Sequence, residues 1–142
     1  MFYILGYLNS KFSQEIIALL NPTLNTNISD ITAQPLYYGK LPEQEDMVIN
    51  LVSQNIALSK ADWDSFETSW DFTRHPFIKA ITKYPNMMDV GNIYLAECYD
   101  IWAGECEERF EKLKANEEEL NRIFIDIYGL QDELTPEVAD KD

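Results

Sequence analysis

The stretch Asn92-Ile-Tyr-Leu-Ala-Glu-Cys-Tyr-Asp-Ile-Trp-Ala-Gly-Glu-Cys-Glu-Glu-Arg-Phe-Glu-Lys-Leu113 sets the fold class. Leu95, Cys98, Trp102, Cys106, Phe110 and Leu113 recur at spacings of 3, 4, 4, 4 and 3. That period lines one face of a helix. On the polar side Glu105/Arg109, Glu108/Lys112 and, further on, Glu118/Arg122 are i,i+4 pairs with the acid first. This order supports a helix by ~0.2–0.5 kcal/mol per pair. The spacing predicts a helix to about Leu113 with Trp102 packed against other helices. Asn116 and Glu119 match a capping pair, so a break and a restart are expected there. Glu117, Glu118 and Glu119 would then complement the dipole of the new helix. Leu120, Ile123, Phe124 and Ile127 carry the second stripe, and Gly129 is placed to cap its end.

Towards the N-terminus the signals weaken. Leu5, Leu8, Phe12, Ile16 and Leu19 predict one helix over Phe2–Leu20, stopped by Asn21-Pro22. Thr23 to Tyr38, rich in Asn and Thr, reads as loops with one or two short strands. Gly39-Lys40-Leu41-Pro42 is a turn, with Pro42 placed as a first helical residue and Glu43, Glu45 and Asp46 behind it. Val48, Leu51, Val52 and Ile56 extend that helix to about Leu58, and Ser59 with Asp62 suggests a new start. Trp63, Phe66, Trp70 and Phe72 form an aromatic cluster, and His75-Pro76 and Tyr84-Pro85 interrupt helix.

Composition bounds the function. The 142 residues allow one domain or one unit with a tail, and 46% hydrophobic content excludes a disordered chain. No apolar run reaches the ~18 residues of a spanning helix, and the first eight residues lack the pattern of a signal peptide. Two cysteines in such a chain read as reduced thiols, which points to the cytoplasm. Twenty-five acids against eleven bases give −14, divided as −2 over residues 1–60 and −12 over residues 61–142. Phosphate is repelled by such a chain as a whole. The charge step near Ser59 is the sharpest change of composition.

Catalytic and metal chemistry find little support. His75 has Asp71 and Arg74 nearby, but a lone histidine before proline is better read as structural than as the centre of a small enzyme. Cys98 and Cys106 are about two turns apart, ~12 Å along a helix, too far for a disulfide and without zinc-ligand spacing. Both read as small buried hydrophobes. The aromatic cluster could stack nucleic-acid bases, yet Asp62, Asp64, Glu67 and Asp71 interleave it, so a packed core anchor is the expected role. Asn21-Pro22-Thr23-Leu24 begins like the Asn-Pro-Pro-aromatic motif of amino-methyltransferases but lacks the second proline and the aromatic. No Gly-rich loop follows a strand, so no S-adenosylmethionine or nucleotide pocket is legible. No catalytic, cofactor-binding or metal residue is assigned.

Tyr3-Ile-Leu-Gly-Tyr-Leu-Asn-Ser-Lys11, Leu20-Asn-Pro-Thr-Leu-Asn25, Ile28-Ser-Asp-Ile31 and Gln34-Pro-Leu36 resemble the closing segment of a DNA target-recognition domain. Leu58 to Phe72, His75-Pro76, Cys106-Glu-Glu-Arg-Phe110 and Leu113 to Pro136 extend the likeness. Together these blocks resemble the PglX-type adenine-specific DNA methyltransferases of BREX phage-defence systems. The likeness spans nearly the whole chain and is thinnest over residues 77–92.

The resemblance implies a C-terminal piece of a longer S-adenosylmethionine-dependent enzyme, from a truncated gene or a cut. The cofactor site and catalytic loop of that family lie outside the matched region, so none of their residues is carried over. A mainly α fold is expected. Residues 1–42 would be a small α+β remnant closing the recognition domain, and residues 43–142 an acidic, bundle-like helical spacer. Lys11, Asn25, Asn27 and Lys40 are the candidates for weak DNA contact. Implied partners are the rest of the methyltransferase chain, DNA through it, and other phage-defence subunits, with no membrane. The competing expectation is a stand-alone acidic interaction protein that binds a partner subunit or mimics DNA charge.

Overall fold

A computed structural model describes residues 1–23, 25–39, 41–83, 88–89, 92–93 and 95–139. The chain is mainly helical: α1 (Phe2–Asn9), α2 (Lys11–Leu20), α3 (Ile28–Thr32), α4 (Pro42–Trp63), α5 (Pro76–Lys83) and α6 (Leu95–Tyr128). Two short strands, β1 (Met88–Asp89) and β2 (Asn92–Ile93), pair antiparallel with Met88 opposite Ile93. No described helix is long and apolar enough to cross a membrane. The residues divide into two units, residues 1–55 with 114–142, and residues 56–113. Helices α4 and α6 each contribute to both, so the unit changes inside α4, shortly before the charge step at Ser59, and again inside α6 after Leu113.

In the first unit, Ser10 divides the expected single N-terminal helix. Its side chain accepts the Ser13 N–H at 3.3 Å and donates to the Tyr7 carbonyl at 2.7 Å, ending α1 and capping α2 together. The break changes the helical phase. Leu5 and Leu19 face outward, and Tyr3, Gly6 and Tyr7 turn inward instead. Where strands were expected, residues 23–38 hold only α3, so no β element appears among the described residues of the N-terminal part. Asp30 accepts the Asn27 N–H at 2.8 Å and the Asn21 side chain at 2.8 Å. Local side-chain bonds of this kind start a helical turn where Asn and Thr content suggested extended chain.

The core of this unit is one cluster: Tyr3, Tyr7, Phe12, Val48, Val52, Leu120, Ile123 and Phe124. Phe124 meets the rings of Tyr3 and Tyr7 edge-on, each at 5.6 Å between centroids, and Phe12 stacks on Tyr128 at 3.9 Å. Gly6 lets α1 approach α4, because a Cβ there would stand 2.7 Å from Val52 Cγ2 and 3.0 Å from Val48 Cγ1. Pro42 opens α4 with Glu43 and Glu45 in its first turn, as expected. Gly129 ends α6 at φ 69°.

Two expected breaks are absent. Helix α4 passes through Ser59 without interruption, and α6 passes through Asn116. Asn116 is buried and donates to Asn55 Oδ1 at 2.8 Å, which satisfies it inside the helix without a cap. Glu117, Glu118 and Glu119 therefore lie mid-helix rather than at an N-terminus. Glu119 pairs with Arg122, and Glu118 accepts the Val138 N–H at 3.1 Å.

The second unit buries much less. Cys98, Ala80 and Pro76 are buried, but Trp63, Phe66 and Trp70 are exposed, Leu95 and Phe110 likewise, and Trp102 is half-buried. The expectation that the aromatic cluster anchors a core is overturned. Trp63 ends α4, and Phe66 and Trp70 sit in successive tight turns, where no other described element covers their rings. The Tyr84-Pro85 interruption lies outside the described residues.

Candidate functional site

The four residues considered for DNA contact are not gathered into one surface by any contact among the described residues. Lys11 opens α2. Its backbone N–H donates to Asn121 Oδ1 at 2.8 Å and its Nζ to Thr135 Oγ1 at 3.3 Å, so the charge is turned onto the chain's own C-terminal segment. Asn25 and Asn27 are exposed beside α3, and the Asn25 carbonyl accepts from the Asn21 side chain at 2.9 Å. Lys40 lies outside the described residues.

The polar architecture of the first unit centres on Gln34-Pro35 instead. Tyr7 Oη donates to the Pro35 carbonyl at 3.2 Å, and Tyr128 Oη donates to the same carbonyl while accepting the Tyr37 N–H at 2.9 Å. Tyr3 Oη donates to the Tyr37 carbonyl at 2.7 Å. Three aromatic hydroxyls thus clamp residues 35–37. Burial, helped by the neighbouring Tyr128 and Glu45, pushes the Tyr3 hydroxyl up to about 12, and burial raises Tyr7 and Tyr128 as well. Gln34 is buried, accepts the Ser13 hydroxyl at 2.7 Å, and its Nε2 finds no partner among the described residues. Asn121, also buried, holds Lys11 on one side and donates to the Pro136 carbonyl at 3.0 Å on the other.

Sequence reading missed these fixing residues. Tyr3 and Tyr7 stand four apart and could have signalled a face, but the apolar spacing from Leu5 to Leu19, which runs through Ser10, obscured them. Asn116 gave a misleading capping signal and Asn121 none, because their partners are 61 and 110 residues away.

In the second unit, His75 is exposed and caps α5. Its carbonyl accepts the Ile78 N–H at 3.0 Å and its Nδ1 the Phe77 N–H at 3.2 Å, which is the structural role expected of it. Its ring meets Phe77 edge-on at 4.9 Å, and Trp102 meets Phe77 at 5.7 Å. Cys98 is fully buried, whereas Cys106 is half-buried and accepts from Arg109 at 3.1 Å. Arg109 also pairs with Asp62 at 3.2 Å. A shallow recess of about 310 Å³ is lined by Leu58, Glu105, Glu108, Arg109 and Lys112. Its two acids and two bases balance, so it offers no field of one sign to a charged ligand. Among the described residues no group of three metal-ligating side chains converges. Lys60 donates to Asp64 at 2.8 Å and to Asp71, which lowers the Asp64 carboxyl from its ordinary value.

No family model matches the chain, and no solved structure matches it. Two curated proteins do. Over all 142 residues the chain is 41% identical to the adenine-specific methyltransferase PglX of Lacticaseibacillus casei (strain Zhang), of which it spans 11%. Over 135 residues, 95% of the chain, it is 30% identical to the adenine-specific methyltransferase BrxX of Escherichia coli O9:H4 (strain HS), of which it spans 10%. The chain thus spans about a tenth of the length of the curated relatives it matches. The likeness runs through both units and includes the residues 77–92 where the motifs are thinnest.

Proposed function

We propose, from the kinship of this whole chain with about a tenth of the PglX-type adenine-specific methyltransferases, that it acts as a C-terminal, non-catalytic segment of such an enzyme. The parent reaction moves a methyl group from S-adenosylmethionine to the exocyclic amine of adenine in DNA, in a cytoplasmic phage-defence system. Residues 1–42 would contribute recognition-domain scaffold and residues 43–142 the helical spacer. The carrying observation is the 41% identity sustained over the full 142 residues. The geometry supports a scaffolding role: the polar groups of the first unit bond to the chain's own backbone, as in the tyrosine clamp on Pro35. Base readout would then belong to other parts of the parent, with Lys11, Asn25, Asn27 and Lys40 at most contacting the backbone of DNA.

A segment exchange tests this. Replacing the matching tenth of the Lacticaseibacillus casei relative with this chain should preserve adenine methylation in cells, and deleting that tenth should abolish it. Methylation unaffected by the deletion would refute the reading. The separate chain should show no saturable S-adenosylmethionine binding by calorimetry. The second reading, an acidic partner-binding or DNA-mimicking protein, is favoured by the net charge of −14. It requires that the chain be expressed on its own beside an intact methyltransferase.

A further inference from the structure

We propose that the turn bearing Trp63, Phe66 and Trp70 is a docking surface for a basic polypeptide segment, whose arginine side chains lie on the exposed rings and pair with the adjoining carboxylates. Trp63 is 58% exposed, Phe66 47% and Trp70 101%. A lone exposed aromatic is ordinary, but three within eight residues concentrate apolar area in one place.

The turn is held rather than loose. Backbone bonds run from Phe66 N–H to the Trp63 carbonyl at 3.2 Å and from Ser69 N–H to the Phe66 carbonyl at 3.0 Å. Lys60 bonds both Asp64 and Asp71. Buried Ser69 donates to Asp64 Oδ1 at 2.6 Å and accepts the Asp71 N–H at 3.1 Å. The rings are therefore presented in advance, which lowers the ordering cost of a partner.

Charge selects the partner. Residues 61–72 contain four acids and no base. Lys60 answers Asp64 and Asp71, Arg109 answers Asp62, and exposed Glu67 has no partner among the described residues. Ring faces and carboxylates both attract cations, and a guanidinium can stack and pair at once. Phosphate would meet these acids unfavourably, which counts against base stacking by nucleic acid. A second copy would bring like charges together. The proposal concerns this surface alone and does not depend on the methyltransferase reading.

The test is a fluorescence-anisotropy titration of the chain with a labelled Arg-Gly repeat peptide at physiological salt. It compares the unaltered chain with Trp70→Ser, with Trp63→Ser/Trp70→Ser and with Glu67→Gln. The tryptophan variants keep the net charge, so any binding by charge alone is unchanged in them. Expected are ~10-fold weaker binding for the double variant and ~2–3-fold for Glu67→Gln, with helicity retained by circular dichroism. Fully exposed Trp70 gives a single variant that keeps the fold even if Trp63→Ser does not, and it alone should weaken binding ~3-fold or more. Equal binding by the unaltered chain and Trp70→Ser would overturn the proposal. Tighter binding of a labelled oligothymidine than of the peptide would also overturn it, as would a tryptophan-dependent dimer in sedimentation.

Discussion

The two units spend their aromatic residues in opposite ways. Residues 1–55 with 114–142 gather Tyr3, Tyr7, Phe12 and Phe124 into one closed cluster and turn the tyrosine hydroxyls onto backbone carbonyls. Residues 56–113 contain all three tryptophans, yet two are exposed and the third is half-buried. Aromatic content therefore does not mark the core in this chain. What marks it is a ring that meets partners from other helices: Phe124 lies edge-on to Tyr3 and Tyr7, and the two tyrosines also reach Tyr37 and Pro35 with their hydroxyls.

That contrast can be broken by substitution. Phe124→Ala removes a fully buried ring that touches both tyrosines and should cost ~3–5 kcal/mol in urea melts. A loss below that of Trp102→Ala would place the core in the wrong unit. Gly6→Ala puts a methyl against Val52 and Val48 and should cost ~1–3 kcal/mol, less the helix preference of alanine, about 1 kcal/mol.

Alkaline titration sharpens the comparison. The buried hydroxyls favour the folded state while they keep their protons. That contribution is complete below about pH 10, the ordinary tyrosine value, and is lost as pH rises towards about 12, where Tyr3 ionises in the folded chain. Far-ultraviolet circular dichroism followed with tyrosinate absorbance should show helix loss in this window, and Tyr3→Phe should flatten the profile. An unchanged profile would separate ionisation of Tyr3 from unfolding.

Trp102→Ala should cost ~1–2 kcal/mol, because the ring is half-buried and packs on Phe77 and Tyr99. This is smaller than its helical stripe suggests. Trp70→Ala should lie within ~0.5 kcal/mol of the unaltered chain, as an exposed side chain does. A larger loss would mean that the exposed turn also supports the fold.

Helix content was legible wherever apolar spacing ran without interruption. The stripe from Leu120 to Ile127 is nearly all core, and Pro42 and Gly129 mark true helix ends. Errors arose where one local signal has two meanings. Ser10 and Ser59 are both potential caps, yet only Ser10 breaks a helix; Ser59 continues one. Asn116 resembles a cap because Asn bonds backbone readily, but Asn55 and Gln54 supply side-chain partners that keep it helical. Of the candidate DNA contacts, Lys11 looked available because its long-range ties to Asn121 and Thr135 leave no trace in neighbouring residues.

The sequence by itself determined a mainly helical, strongly acidic chain and its kinship with a tenth of a methyltransferase, because composition, period and blocks of identity are properties of the string. Only the tertiary structure decided which aromatic rings are core and which are surface. Burial depends on what stands opposite: Phe124 faces Tyr3 and Tyr7, whereas Trp63 and Trp70 project from turns tied down by Lys60 and Ser69. Aromatic side chains thus have opposite fates in the two units, because one ring meets partners brought from distant helices and the other meets water.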